Sequence, residues 1–138
     1  KNLIFLVFFG ILITSCEKSK YCREIDGHNA ISIVNNSSRL ITYTPLNGDS
    51  VYQYNGEFSN TIIQPYTSDN YTKTKKTCWE EVLETNNTQF EYLLIFDQDT
   101  VNAIGWQNIS GTNRGLLKSF KINSEILKQN NFTLTYEE

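Results

Sequence analysis

Three cysteines, one histidine and two carboxylate pairs are the residues of this chain that could carry chemistry. Cys22 and Cys78 lie far apart, whereas redox cysteines usually sit close together beside a helix N-terminus. That spacing favours a structural Cys22–Cys78 disulfide, formed in an oxidising compartment, over the rival redox pair. His28 is the only histidine, which rules out a His-rich metal site. It stands between Gly27 and Asn29 and reads as an exposed loop residue, because a catalytic imidazole needs an orienting partner and a nucleophile. No serine occupies a G-x-S-x-G elbow. Asp97 and Asp99 form a D-x-D, but Val101 and Asn102 stand where a calcium loop continues with an oxygen ligand and a glycine. Asp99 reads instead as a helix cap. Glu80 and Glu81 would face opposite ways on a strand and so could not act across one substrate. There is no phosphate loop. These patterns predict no catalytic residue, no metal site and no cofactor.

Tyrosine is the one suggestive excess, with eight in the chain. Tyr52 and Tyr54 would share one strand face, and Tyr43, Tyr66 and Tyr71 lie in neighbouring segments. Exposed aromatics can stack on sugar rings or on a protein partner, although tyrosine is also simply a good strand former. The Tyr52/Tyr54 face is therefore the candidate ligand face, for a glycan or an envelope protein.

The first sixteen residues set the address. Lys1 is basic, Leu3 to Ile13 is apolar apart from Gly10, and Ile13-Thr14-Ser15-Cys16 follows. A basic start, a short apolar stretch and small residues before a cut make a secretory signal peptide. A membrane span would need roughly 20 apolar residues, about twice this run. The ending resembles the bacterial lipobox. That resemblance implies cleavage after Ser15 and a lipid on Cys16, which would hold the mature chain to the membrane. It places the protein in a bacterial cell envelope, on the outer membrane, with the periplasmic or surface face left open. The chain has no methionine, so at least one residue is expected upstream of Lys1.

Losing residues 1–15 leaves 123 of 138, enough for one modest domain. That cut removes one lysine and no acid, taking the formal charge from −3 to −4. Nucleic acid calls for a clustered basic footprint and is not expected as a partner. Lys73, Lys75 and Lys76 alternate with threonine and read as a solvated or edge strand.

Residues 16–29 read as a lipidated tether and 30–138 as the folded domain. Ile31 to Val34, the turn Asn35-Asn36-Ser37-Ser38 and Leu40 to Thr44 predict a hairpin, ended by Pro45. Val51 to Tyr54 and Thr61 to Gln64 read as short strands, and Tyr71 to Trp79 as extended. Trp79 to Glu84 fits either a strand or one helical turn. Tyr92 to Phe96 is an unbroken apolar run and predicts a central strand buried on both faces. Asp97 to Ile109 predicts a short helix, Leu116 to Ile122 a strand with Phe120 and Ile122 inward, and Ser124 to Asn130 a helical turn. Phe132, Leu134 and Tyr136 alternate with threonines, as a strand with one wet face does. The pattern predicts a mainly β protein: an immunoglobulin-like β-sandwich of about seven short strands with one or two short helices.

Ile33-Val34-Asn35-Asn36-Ser37, Trp79-Glu80-Glu81, Ile95-Phe96-Asp97, Asp99-Thr100-Val101, Leu116-Leu117-Lys118 and Leu134-Thr135-Tyr136 occur in this order. The series resembles a family of small Bacteroidetes lipoproteins to which no activity is assigned. The resemblance spans most of the mature chain. It implies envelope localisation and a small β domain. Asp49-Ser50-Val51 and Asp99-Thr100-Val101 also resemble acceptors of Bacteroidetes protein O-glycosylation.

The disulfide would govern the tether. Without it the flexible segment from Cys16 to about Ala30 reaches ~50 Å at full extension, and with it the reach from Cys16 to Cys22 is ~20 Å. Closing a loop of about 57 residues adds roughly 3–4 kcal/mol in the chain-entropy model. A Cys22→Ser, Cys78→Ser double variant is expected to melt lower and to be cut faster by protease near Glu24. Non-reducing peptide mapping checks the premise: free thiols at both positions would remove it.

Overall fold

Alternation of apolar and polar residues builds most of the strands. The computed structural model describes residues 28–47, 61–72, 78–85, 91–109 and 112–138. Along the chain these form β1 (Ile31–Asn36), β2 (Ile41–Asn47), β3 (Ile62–Ile63), β4 (Thr67–Tyr71), α1 (Trp79–Thr85) and β5 (Glu91–Asp97). Then come α2 (Gln98–Ile104), a 3₁₀ turn (Trp106–Asn108), β6 (Leu116–Ile122), α3 (Ser124–Gln129) and β7 (Thr133–Glu137). Strands make up 45% of the described residues and helices 26%, so the protein is mainly β as expected.

Two sheets face each other as a β-sandwich. One has the order β4-β1-β7 and the other β3-β2-β5-β6. The four-stranded sheet has the connectivity of immunoglobulin strands C, F and G with an added C′, and β1 and β4 stand as B and E. The departure lies at the end of the chain, where β7 occupies the remaining place beside β1 and runs parallel to it. Three short helices and a 3₁₀ turn accompany the strands, more than the one or two expected.

The predicted hairpin of residues 31–44 does not form. β1 and β2 belong to different sheets, so Asn35 to Leu40 arches across the sandwich. No residue of that arch takes the positive φ that a tight hairpin turn would use. Pro45 does not end β2 either, since it pairs with Leu93 inside the strand. On its other side β2 is paired only at Ile41 and Thr42 among the described residues.

β5 organises two cores, as an unbroken apolar strand should. Leu93 and Ile95 face the space between the sheets, with Ile31, Ile33, Ile41, Tyr43, Leu134 and Tyr136. Leu94 and Phe96 face the other way, against Val101 of α2, Ile109 and Leu46. Phe96 and Trp106 meet edge to face, ring centroids 5.3 Å apart.

The helices close the sandwich. Trp79, Val82 and Leu83 lie at i, i+3 and i+4 and present one apolar stripe to the inner core. This resolves Trp79 to Glu84 as helix, with Glu80 and Glu81 in a first turn that favours negative charge. α2 starts two residues earlier than an Asp99 cap would set it. Asp97 is its N-cap, and Asp99 lies exposed in the first turn. Asn123 caps α3, its side chain accepting from the Ile126 N–H at 2.7 Å. Lys118 of β6 donates to the Thr135 carbonyl of β7 at 3.1 Å, tying the edges of the two sheets together.

Burial of β5 on both faces predicts that Leu93→Ala and Leu94→Ala each lose about 2–5 kcal/mol of stability. Urea denaturation checks this. A loss below about 1 kcal/mol for Leu94→Ala alone would show that the α2 layer adds little to the fold.

Candidate functional site

A buried amide positions the most conspicuous exposed side chain. Asn35 is fully buried at the end of β1. Its Nδ2 donates to the carbonyls of Arg39 at 2.7 Å, Gln64 at 3.1 Å and Ile63 at 3.3 Å. Its Oδ1 accepts from the Ser37 hydroxyl at 2.7 Å and the Ser37 N–H at 3.2 Å. One side chain thus holds the arch after β1 and the chain leaving β3. Thr42 adds a second tie, its hydroxyl donating to the Thr61 carbonyl at 2.8 Å.

The segment so pinned ends in the turn Gln64-Pro65-Tyr66-Thr67. The Thr67 N–H and hydroxyl both donate to the Gln64 carbonyl, at 3.3 and 2.8 Å. Pro65 stands where proline presets φ, and Tyr66 follows with φ of +57°. This is the pattern of a type II turn, whose third position favours glycine. A left-handed residue with a Cβ costs about 1–2 kcal/mol. Two other described non-glycine residues share positive φ. Asn131 is of a type that tolerates it, and Phe132 is buried with its ring stacked on His28. Tyr66 has neither excuse, being 70% exposed. Ile62, 47% exposed, is the other large apolar side chain left open to solvent nearby in the chain.

The tyrosines expected near one another have different fates. Tyr43 is buried, donates to Asp69 Oδ2 at 2.8 Å and meets Tyr71 edge to face. Burial, and then the Asp69 bond, push its phenol well above the usual range. Tyr71 also packs on Trp79. Tyr52 and Tyr54, the expected ligand face, lie outside the described residues, as do Cys16, Cys22 and the Asp49-Ser50-Val51 triplet. Cys78 is fully buried and disulfide-bonded, and its expected partner Cys22 lies outside the described residues.

His28 is no free loop residue. Its Nδ1 meets Glu80 Oε1 at 2.8 Å, and its backbone N–H donates to Glu80 Oε2 at 3.2 Å. Its carbonyl accepts from the Trp79 N–H at 2.8 Å. Its ring stacks on Phe132, centroids 3.5 Å apart and planes 9° from parallel. A carboxylate on Nδ1 is how a catalytic imidazole is oriented. Here it is one of four contacts that clasp the segment before β1 onto α1 and the end of α3. Glu80 is itself buried by this arrangement, and the helical turn, rather than a strand, sets its separation from Glu81.

The remaining candidates serve the fold. Asp97 accepts from the Thr100 hydroxyl at 2.8 Å and lies 3.9 Å from Arg39, which also pairs with Glu138 at 2.8 Å. The Asp99-Thr100-Val101 triplet is inside α2 with Val101 buried. Among the described residues no three His, Cys, Asp or Glu side chains gather as a metal site, and no helix is long and apolar enough to cross a membrane. No protein-family model, curated protein or solved structure matches the chain.

If Tyr66 is presented rather than packed, Tyr66→Gly should keep or raise stability. Relief of the left-handed strain outweighs the added freedom of the unfolded chain by about 0.5–1 kcal/mol. Thermal melts of the variant check this, and a lower melting temperature would mean that the ring supports the fold.

Proposed function

We propose that this chain is a lipid-anchored binding module of a bacterial cell envelope, a non-enzymatic protein that docks a partner through the Tyr66 turn. The observation that carries the binding half is the exposed Tyr66, held in a glycine-type conformation by a buried hydrogen-bonded asparagine. Strain of this kind, over-determined by its surroundings, is typical of contact sites. The anchoring half rests on Lys1 to Cys16, with the outer membrane as the site of attachment. The non-enzymatic reading is supported by what the reactive side chains do. His28 and Glu80 clasp backbone, and Asp97 heads a helix.

Cys16→Ala is expected to abolish both palmitate incorporation and membrane association. Radiolabelled palmitate and cell fractionation test this, and a variant that stays in the membrane pellet after a salt wash would sink the anchoring claim.

A further inference from the structure

Two adjacent rows on the outer face of the three-stranded sheet carry no charge, and Glu137 marks the row beyond them. In β1 the side chains of Ile31, Ile33 and Asn35 are buried between the sheets, which turns Ser32 and Val34 outward. The register sets Ser32 between Asn70 and Thr133, and Val34 between Ser68 and Thr135. Directly paired residues share a face, so these six form two rows of three. None is ionisable. Ser68 and Asn70, on the edge strand β4, are exposed and the other four are partly so. Thr133 donates to the Asn131 carbonyl at 3.3 Å and keeps its acceptor capacity. The next row holds Asn36 and Glu137, joined at 3.2 Å, and Tyr66 stands at its β4 end, one residue before the Thr67–Asn35 pair. Lys118 reaches the Thr135 carbonyl from the other sheet. The helices pack elsewhere: α2 against β2 and β5, and α3 against α1 and β6.

Strand preference accounts for Val34, Thr133 and Thr135 but not for Ser32, Ser68 and Asn70. The edge strand β4 carries its one charge, Asp69, on the inner side, where Tyr43 donates to it, which guards the edge against association and leaves the outer rows uncharged. A protein partner calls for an apolar centre with aromatic or arginine anchors, whereas Val34 is the only apolar residue of the two rows. Phosphate or sulfate calls for cations. Short hydroxyls and an amide, each both donor and acceptor, match a neutral ligand rich in hydroxyl groups. An aromatic ring at the rim matches the apolar face of a sugar.

We infer that this face binds a neutral glycan, laid across β4, β1 and β7 and flanked by Tyr66. The inference rests on the binding-module reading in taking the Tyr66 turn as a contact.

The test is calorimetric titration of the full-length chain in detergent. The neutral probes are maltohexaose, cellohexaose and mannohexaose, and the charged ones are oligogalacturonate and a heparin hexasaccharide. At least one neutral probe should bind. Ser68→Glu and Asn70→Glu, both on an exposed strand, should weaken it by about tenfold or more, while Ser68→Thr should retain it. Tyr66→Gly should weaken it by about three- to tenfold. Failure of all neutral probes at millimolar concentration overturns the inference. So does binding of charged probes only, or undiminished binding by both glutamate variants. A concentration-dependent dimer that Ser68→Glu dissolves would also overturn it, by assigning the face to a second copy of the chain. Palmitate labelling is read separately, so a labelled chain that binds no sugar loses only the ligand class, and an unlabelled one loses the anchor.

Discussion

The side-chain amide of Asn35 is the constraint on which the upper end of the sandwich depends. Buried polar groups must be satisfied, and leaving one unpaired costs about 1–3 kcal/mol. Asn35 spends its whole capacity on five hydrogen bonds to two stretches of chain: Ser37 and Arg39 of the arch, and the Ile63–Gln64 exit of β3. The arch that carries the chain from one sheet to the other and the turn that shows Tyr66 therefore stand or fall together. An apolar residue at 35 would pack but would release both. An aspartate would lose the three donations that hold the carbonyls.

Much of the lower half was legible from pattern alone. Tyr92 to Phe96 announces a strand covered on both faces, and β5 lies between β2 and β6 with a core on either side. Leu116 to Ile122, Ser124 to Asn130 and the alternation of Leu134 and Tyr136 are local signals that become β6, α3 and β7. The failures share one cause, which is that local chemistry does not say which sheet a strand joins. Asn35 to Ser38 has the composition of a hairpin turn, yet the sheets on either side of it differ. Pro45 looks like a stop because its place opposite Leu93 inside β2 is a tertiary fact. β4 is polar and carries no apolar alternation, so the extended reading begins at Tyr71, where β4 ends.

The site was the least legible part. Tyr66 was visible as a tyrosine, but its value lies in exposure and φ, which depend on Asn35 thirty-one positions earlier. The one local hint is Pro65 directly before it, a turn signal that also fits the end of a strand. His28 does lie in a loop with its side chain 41% exposed, but its part as a clasp is not legible, because its carboxylate partner Glu80 is 52 residues away and its stacking partner Phe132 lies farther still. Long-range pairs like these are what turn an ordinary loop histidine into a clasp.

The parallel pairing of β1 with β7 has a consequence for the life of the chain before it is folded. Ser32 finds Thr133, and Asn36 finds Glu137, across almost the whole length of the domain. The central strand of one sheet thus waits for the last strand to be made. Loops this long must close before their contacts reward them, and such topologies fold slowly. Until its end has left the ribosome, the nascent chain lacks the strand that completes the β4-β1-β7 sheet. A protein built this way cannot lock that sheet until the whole domain has been made.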